Sequence, residues 1–302
     1  MLSKISVAPM MDWTNRHCRY LHRLINHSAL LYTEMITAQA LKFGDRDRLL
    51  AYNAEEHPIA LQLGGSDPDL MAQAAYWGEQ AGYDEININI GCPSDRVQSG
   101  SFGACLMREP ERVAECVAAM REKVRVPVTV KTRIGVDDDD SLAFLRVFVN
   151  RVVAAGCETL IIHARKAWLK GLSPKQNREI PPLNYERVYT LKQGVSELPV
   201  IINGAIKTLD EVRAHLQHVD GVMLGRKAYH EPYFLNALPG GTGRSCEEIV
   251  SIYKGYMARE LEKGVSSLTL LKPLIGLYHG QPGARAWRRS ISEKRVLTLP
   301  TV

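Results

Sequence analysis

The stretch Asn87-Ile-Asn-Ile-Gly-Cys-Pro-Ser94 carries the most pointed chemistry of this chain. Polar and apolar residues alternate through Ile90, the period of a strand, so the carboxamides of Asn87 and Asn89 share one face. Gly91 then frees the backbone and Pro93 removes a ladder donor, which ends the strand. Cys92 therefore falls just past a C-terminal strand end, where barrels of alternating strands and helices do their chemistry. A free cysteine is by default a small buried hydrophobe. In this position it is instead a candidate nucleophile or acid.

Polar groups also end other apolar runs. Pro9 and Met10 follow the first run, Gln62 ends the third, and Lys131 and Arg133 end the fifth. His163 and Arg165 end the sixth, Asn203-Gly204 the seventh and Gly225-Arg226 the eighth. The runs themselves predict strands over 5–8, 30–33, 59–63, 85–90, 128–132, 159–163, 200–203 and 221–224. Amphipathic segments over 70–81 and 111–123 read as helices between them, the second opened by Pro110. Continuous apolar runs such as Thr159-Leu-Ile-Ile are expected where both faces of a strand are buried. Eight strands alternating with helices predict a (β/α)8 TIM barrel, with a doubly wound sheet as the structural competitor. Asp137–Asp140 is read as a solvated loop capping the next helix.

After Leu238 the pattern changes. Pro239-Gly-Gly-Thr-Gly-Arg reads as a linker, and Ser245 with Glu247 and Glu248 as a helix start. Further helices are expected from Leu268, interrupted at Pro273, and from about Ala284. The predicted organisation is thus a barrel over 1–238 and a small helical domain over 239–302.

Composition narrows the class. The chain has 302 residues, 45% hydrophobic and 24% charged, with a net charge of +5 that permits an anionic partner. Its six cysteines form no C-x-x-C pair and show no zinc-like spacing, which argues for reduced thiols and no metal. The first residues lack the apolar core of a signal peptide, and no apolar run of about 18 residues occurs. The expectation is a soluble, cytoplasmic monomer without a membrane partner.

The last two strand ends specify a ligand. Loops after strands seven and eight form the usual phosphate site of such barrels, and Asn203-Gly204-Ala205 and Gly225-Arg226 suit it. Lys131 and His163 are placed to grip an electron-rich ring, and Gln62 to meet its carbonyl or ring nitrogen. The outline is a flat cofactor with a phosphate tail, flavin mononucleotide (FMN) more readily than a sugar phosphate.

Several segments together resemble the tRNA-dihydrouridine synthase family. They are Val7-Ala-Pro-Met-Met-Asp-Trp-Thr, Gln62-Leu-Gly-Gly, the Asn87–Ser94 stretch and Gly100-Ser-Phe-Gly-Ala-Cys-Leu-Met. Val130-Lys-Thr-Arg-Ile-Gly-Val-Asp and His163-Ala-Arg-Lys-Ala belong with them, and 168–183 is similar to the A-type enzymes. The resemblance implies an FMN-dependent barrel with a C-terminal helical domain, reducing uracil in tRNA to 5,6-dihydrouracil with NADPH as reductant. It implies that Cys92 donates a proton to C5 after hydride reaches C6 from flavin N5. It places Ala8, Pro9, Met10, Gln62, Lys131, His163, Asn203, Gly204, Ala205, Gly225 and Arg226 at the flavin. The A-type likeness implies uridines 20 and 20a of the D-loop. Ala205 departs from the pattern, standing where a second glycine is expected; its methyl is compatible only if φ is negative. The tail 296–302 matches nothing in the family.

For the substrate, Asn89 is expected at the uracil edge, with Lys131 and Arg133 holding developing charge. Two basic stretches are expected to meet the RNA backbone. One is 165–178, with five cations including Lys175 and Arg178 and no acid; the other holds Arg285 and Arg288 and continues to Lys294-Arg295. The rival readings are a flavin reductase of small molecules, Schiff-base chemistry at Lys131, and an RNA-binding protein without chemistry.

Overall fold

The computed structural model describes residues 4–94 and 100–293. Strands β1 (Ile5–Val7), β2 (Leu30–Tyr32), β4 (Ile59–Gly64), β5 (Glu85–Ile90), β6 (Val128–Arg133), β7 (Leu160–His163), β8 (Val200–Asn203) and β9 (Gly221–Leu224) pair in parallel. β1 pairs with both β2 and β9, and β2 with β4, so the ring closes. This is the (β/α)8 barrel, and closure excludes the doubly wound alternative. A two-residue β3 (Ile36–Thr37) pairs with the end of β4. The sequence does not foretell it, since two residues carry no periodic signal.

The apolar runs behave as burial on two faces requires. Ile161 faces the barrel interior with Ala8, Leu30, Tyr32, Ala60, Ile201 and Met223, whereas its neighbours Leu160 and Ile162 join the outer core beneath the helices. In β5 the three isoleucines lie in that outer core, which leaves Glu85, Asn87 and Asn89 to the interior. Helices Pro68–Gln80 and Pro110–Lys123 both begin with proline in the first turn, where its missing N–H costs nothing.

Two local expectations need correction. The helix Leu142–Ala154 is capped by Ser141, whose hydroxyl accepts from Phe144 N at 3.0 Å. The preceding aspartates instead tie loops together: Asp139 binds Arg108 at 2.6 Å, Asp140 binds Lys166 at 3.0 Å, and Asp137 Oδ1 accepts from Leu169 N at 2.8 Å. Pro239-Gly-Gly is likewise no free linker. Asn26 Nδ2 donates to Pro239 O at 3.0 Å and His27 N to Gly240 O at 2.8 Å. Gly240 has φ +87°, and a Cβ there would lie 1.8 Å from Ser28 Oγ. The run is a turn packed against the barrel.

Beyond it, helices Cys246–Glu262, Ser267–Leu271 and Ala284–Ser292 follow as expected, the first opened by a reciprocal Ser245–Glu248 capping box. The first two dock on helix Arg16–Ile25 of the barrel. Tyr256 stacks on Tyr20 with centroids 3.9 Å apart and its hydroxyl meets His17 Nδ1 at 2.6 Å, while Glu260 binds Arg16 at 2.6 Å. Among the described residues, no helix is long and apolar enough to cross a membrane.

Candidate active site

A cavity of about 1620 Å³ opens at the C-terminal ends of the strands. Single small ligands usually occupy roughly 300–1,000 Å³, so there is room for more than one flat ring. Its walls bring together Ala8, Pro9, Met10, Gln62, Asn89, Cys92, Lys131, Arg133, His163, Arg178, Asn203, Gly204, Ala205, Gly225 and Arg226. The cavity reaches Thr269, at the edge of the C-terminal helices. Lys175, Arg285 and Arg288 are not among the lining residues; all three are exposed on the outer surface. Lys294, Arg295 and the tail 296–302 lie outside the described residues.

The Cys92 wall is built from carboxamide hydrogen bonds braced by one guanidinium. Asn89 Oδ1 accepts from Gly91 N at 3.1 Å and Cys92 N at 3.0 Å, folding the chain back at the strand end. Its Nδ2 donates to Gln62 Oε1 at 2.8 Å, and Gln62 Nε2 donates to Asn87 Oδ1 at 2.8 Å. Both lining carboxamides have thus spent their oxygens on the protein and face the cavity with N–H only. Cys92 is half-buried, with Sγ 3.5 Å from Ser94 Oγ. Arg133, 5% exposed, gives Nε to Gly91 O at 2.8 Å and Nη1 to Lys166 O and Asn177 O, each at 3.0 Å. Three of its five N–H groups therefore clamp the loops after β5 and β7. Burial lowers its pKa to about 10.

The strand ends that follow, from β6 onward, carry charge. Burial, with the Arg133 charge adding to it, lowers Lys131 to a pKa of about 8. Its Nζ has one long contact, 3.4 Å to Asn203 Oδ1. Burial, then the cations Arg133, Lys131 and Arg165, hold His163 well below its ordinary pKa, so it is neutral at physiological pH. His163 Nδ1 is buried without a hydrogen-bond partner. Arg226 pairs with Glu179 at 2.6 Å. Gly204 has φ +133° and Ala205 φ +54°. The condition set for the Ala205 methyl, a negative φ, is therefore not met: the alanine sits in the left-handed region, at a cost of roughly 1–2 kcal/mol.

Only part of the basic stretch 165–178 faces outward. Arg165 is 8% exposed and donates to Pro181 O, and Lys166 is paired with Asp140. Lys170 and Lys175 are exposed, and Arg178 both lines the cavity and is exposed. The sequence reading also missed Glu34, which follows β2 and supplies the rim group that strand lacked. It lines the cavity, its Oε1 is buried without a partner, and burial raises its pKa. Its place after an apolar run, Leu30–Thr33, was the available signal.

Residues 6–298 match the family model for dihydrouridine synthase. The chain is 56% identical over 294 residues to a tRNA-dihydrouridine(20/20a) synthase of Xanthomonas campestris pv. campestris, covering 96% of this chain and 88% of that protein. It is 56% identical over 297 residues to proteins of the same name from Vibrio parahaemolyticus and Escherichia coli K12, covering 96% of this chain and 91% and 86% of theirs.

Proposed function

The chain belongs to the dihydrouridine synthase family, and we propose that it reduces uridines 20 and 20a in the D-loop of tRNA to 5,6-dihydrouridine. FMN is the proposed cofactor and NADPH its reductant. The residues present fit that group. The unpartnered Nδ1 of His163, the weakly engaged ammonium of Lys131 and the amide N–H of Gln62 suit a flat ring bearing acceptors. The Gly204-Ala205 turn and Gly225-Arg226 suit its phosphate.

Reduced flavin bound there supplies the hydride for C6 of the uracil. The remaining steps belong to the chain. A base within folded tRNA must swing out to enter the cavity, and the free N–H of Asn89 is placed to meet a uracil carbonyl oxygen. Cys92 then gives its thiol proton to C5, and water restores that proton to sulfur. A thiol is suited to this because it holds its proton near neutrality yet yields it to a carbanion more readily than an alcohol does. Arg178, at the cavity mouth, together with the exposed Lys175, Arg285 and Arg288, is assigned to the RNA backbone. The helices of 239–302 form the second RNA-binding unit.

The observation that carries this reading is the meeting of Cys92, Lys131 and His163 on one cavity whose size admits two rings. Single-turnover reduction of tRNA by Cys92→Ala tests it. The variant should keep its flavin and its NADPH oxidation while uridine reduction slows by about 10²–10⁴. An unchanged single-turnover rate removes Cys92 from the chemistry.

A further inference from the structure

We propose that Thr129 and Glu85, which lie beneath the cavity rather than in its walls, are positioning residues that anchor the far end of the carboxamide hydrogen-bond series leading to Cys92 and keep its members from flipping. The backbone N–H groups of Gly91 and Cys92 can only donate, and Asn89 turns its oxygen to them. Its NH₂ group then faces Gln62 Oε1, the NH₂ of Gln62 faces Asn87 Oδ1, and the NH₂ of Asn87 faces Thr129 Oγ1 at 2.8 Å. Thr129 must place its own proton elsewhere, and it donates to Glu85 Oε1 at 2.6 Å. Tyr32 OH donates to the same oxygen at 2.6 Å.

Each link in this series donates in one sense, from the Cys92 peptide down to a carboxyl at the start of β5. Asn87 and Thr129 are wholly buried and Glu85 is 7% exposed, so water offers no substitute partner. Without the terminal acceptor, Thr129 gains a free proton, Asn87 loses its reason to point downward, and the carboxamides are released to flip in turn. A flip at Gln62 or Asn89 exchanges a donor for an acceptor in the cavity and frees the turn that holds Cys92.

The test compares Thr129→Val, which keeps shape but removes the hydroxyl, with Thr129→Ser, which keeps it, in FMN-loaded protein. Two readouts are taken: the rate at which iodoacetamide alkylates Cys92, followed on its peptide by mass spectrometry, and single-turnover uridine reduction. The valine variant should change the alkylation rate by about threefold or more and slow reduction about tenfold, whereas the serine variant stays within about twofold on both. Glu85→Gln retains a carbonyl oxygen for both hydroxyls and should also stay within about twofold, an arm that holds even where the valine variant does not fold. Alkylation of Thr129→Val at the wild-type rate overturns the proposal. So does equal impairment of the valine and serine variants, or a tenfold loss in Glu85→Gln. The second readout rests on the function proposed above and the first does not, so wild-type protein that forms no dihydrouridine overturns that function while alkylation still decides the positioning role.

Discussion

The wall of the cavity that bears Cys92 rests on side-chain hydrogen bonds rising from inside the barrel, while the side formed by the ends of β6 to β9 rests on backbone conformation and charge. On the first, Asn89, Gln62, Asn87 and Thr129 hold one another with neutral groups at 2.8 Å. On the second, Lys131 and His163 are buried among cations, and two successive residues take positive φ. The proposed function gives the two walls different tasks. Under it Cys92 is a proton donor that has to be fixed in place, and directional bonds between buried carboxamides fix it at little electrostatic cost. The phosphate and electron-rich ring proposed for the other side call for N–H groups and positive charge.

Substitutions that break one wall should leave the other working. Cys92→Ala, the largest effect, should slow uridine reduction by about 10²–10⁴ with flavin still bound. Lys131→Met should do the reverse and weaken FMN binding by about tenfold to a hundredfold, the range for removing a charge-assisted hydrogen bond; fluorescence titration of apoprotein with FMN reads it. Equal FMN affinity in the two proteins would show that this lysine does not serve the flavin.

pH sharpens the same contrast. Lys131 is a base whose pKa is lowered to about 8, so in the folded apoprotein its charge is present below that pH and lost above it. The FMN phosphate is already a dianion by then, with a second pKa of about 6. FMN affinity should therefore fall from pH 7 to 9 in the wild type and stay flat in Lys131→Met. Parallel curves would assign the pH dependence to another group.

The exposed cations come next. Charge reversal at Arg285 and Arg288 should weaken tRNA binding and lower the slope of log affinity against log salt by roughly one for each phosphate no longer neutralised. An unchanged slope would make those arginines purely structural. The smallest effect is expected at Ala205. Glycine there relieves the left-handed alanine but adds chain entropy, for a net gain of about 0.5–1 kcal/mol in denaturant unfolding. A loss of stability would show that the methyl group is packed rather than strained.

Most of the barrel was legible because its strands are buried on both faces and stand out as short apolar runs. The site was legible because a polar or glycine residue ends nearly every run. What stayed hidden depends on partners distant in sequence. Arg165 and Lys166 look like RNA-facing cations until Pro181 and Asp140 are seen to take them. Pro239-Gly-Gly looks like a linker until Asn26 and Ser28 are seen to grip it. Residue types also carry no record of which way an amide points, so nothing in the sequence shows that the Asn89 oxygen holds the Cys92 turn and leaves only N–H for a substrate. Glu34 follows an apolar run like the other rim residues, but a lone carboxylate does not fit the cationic and amide groups that end the other runs.

The most direct test is mass spectrometry of ribonuclease fragments of tRNA lacking dihydrouridine after incubation with the FMN-loaded protein and NADPH. The account predicts D-loop uridines heavier by two hydrogens at positions 20 and 20a. Unmodified uridine at both positions, with NADPH consumed at the same rate whether or not tRNA is present, would contradict it.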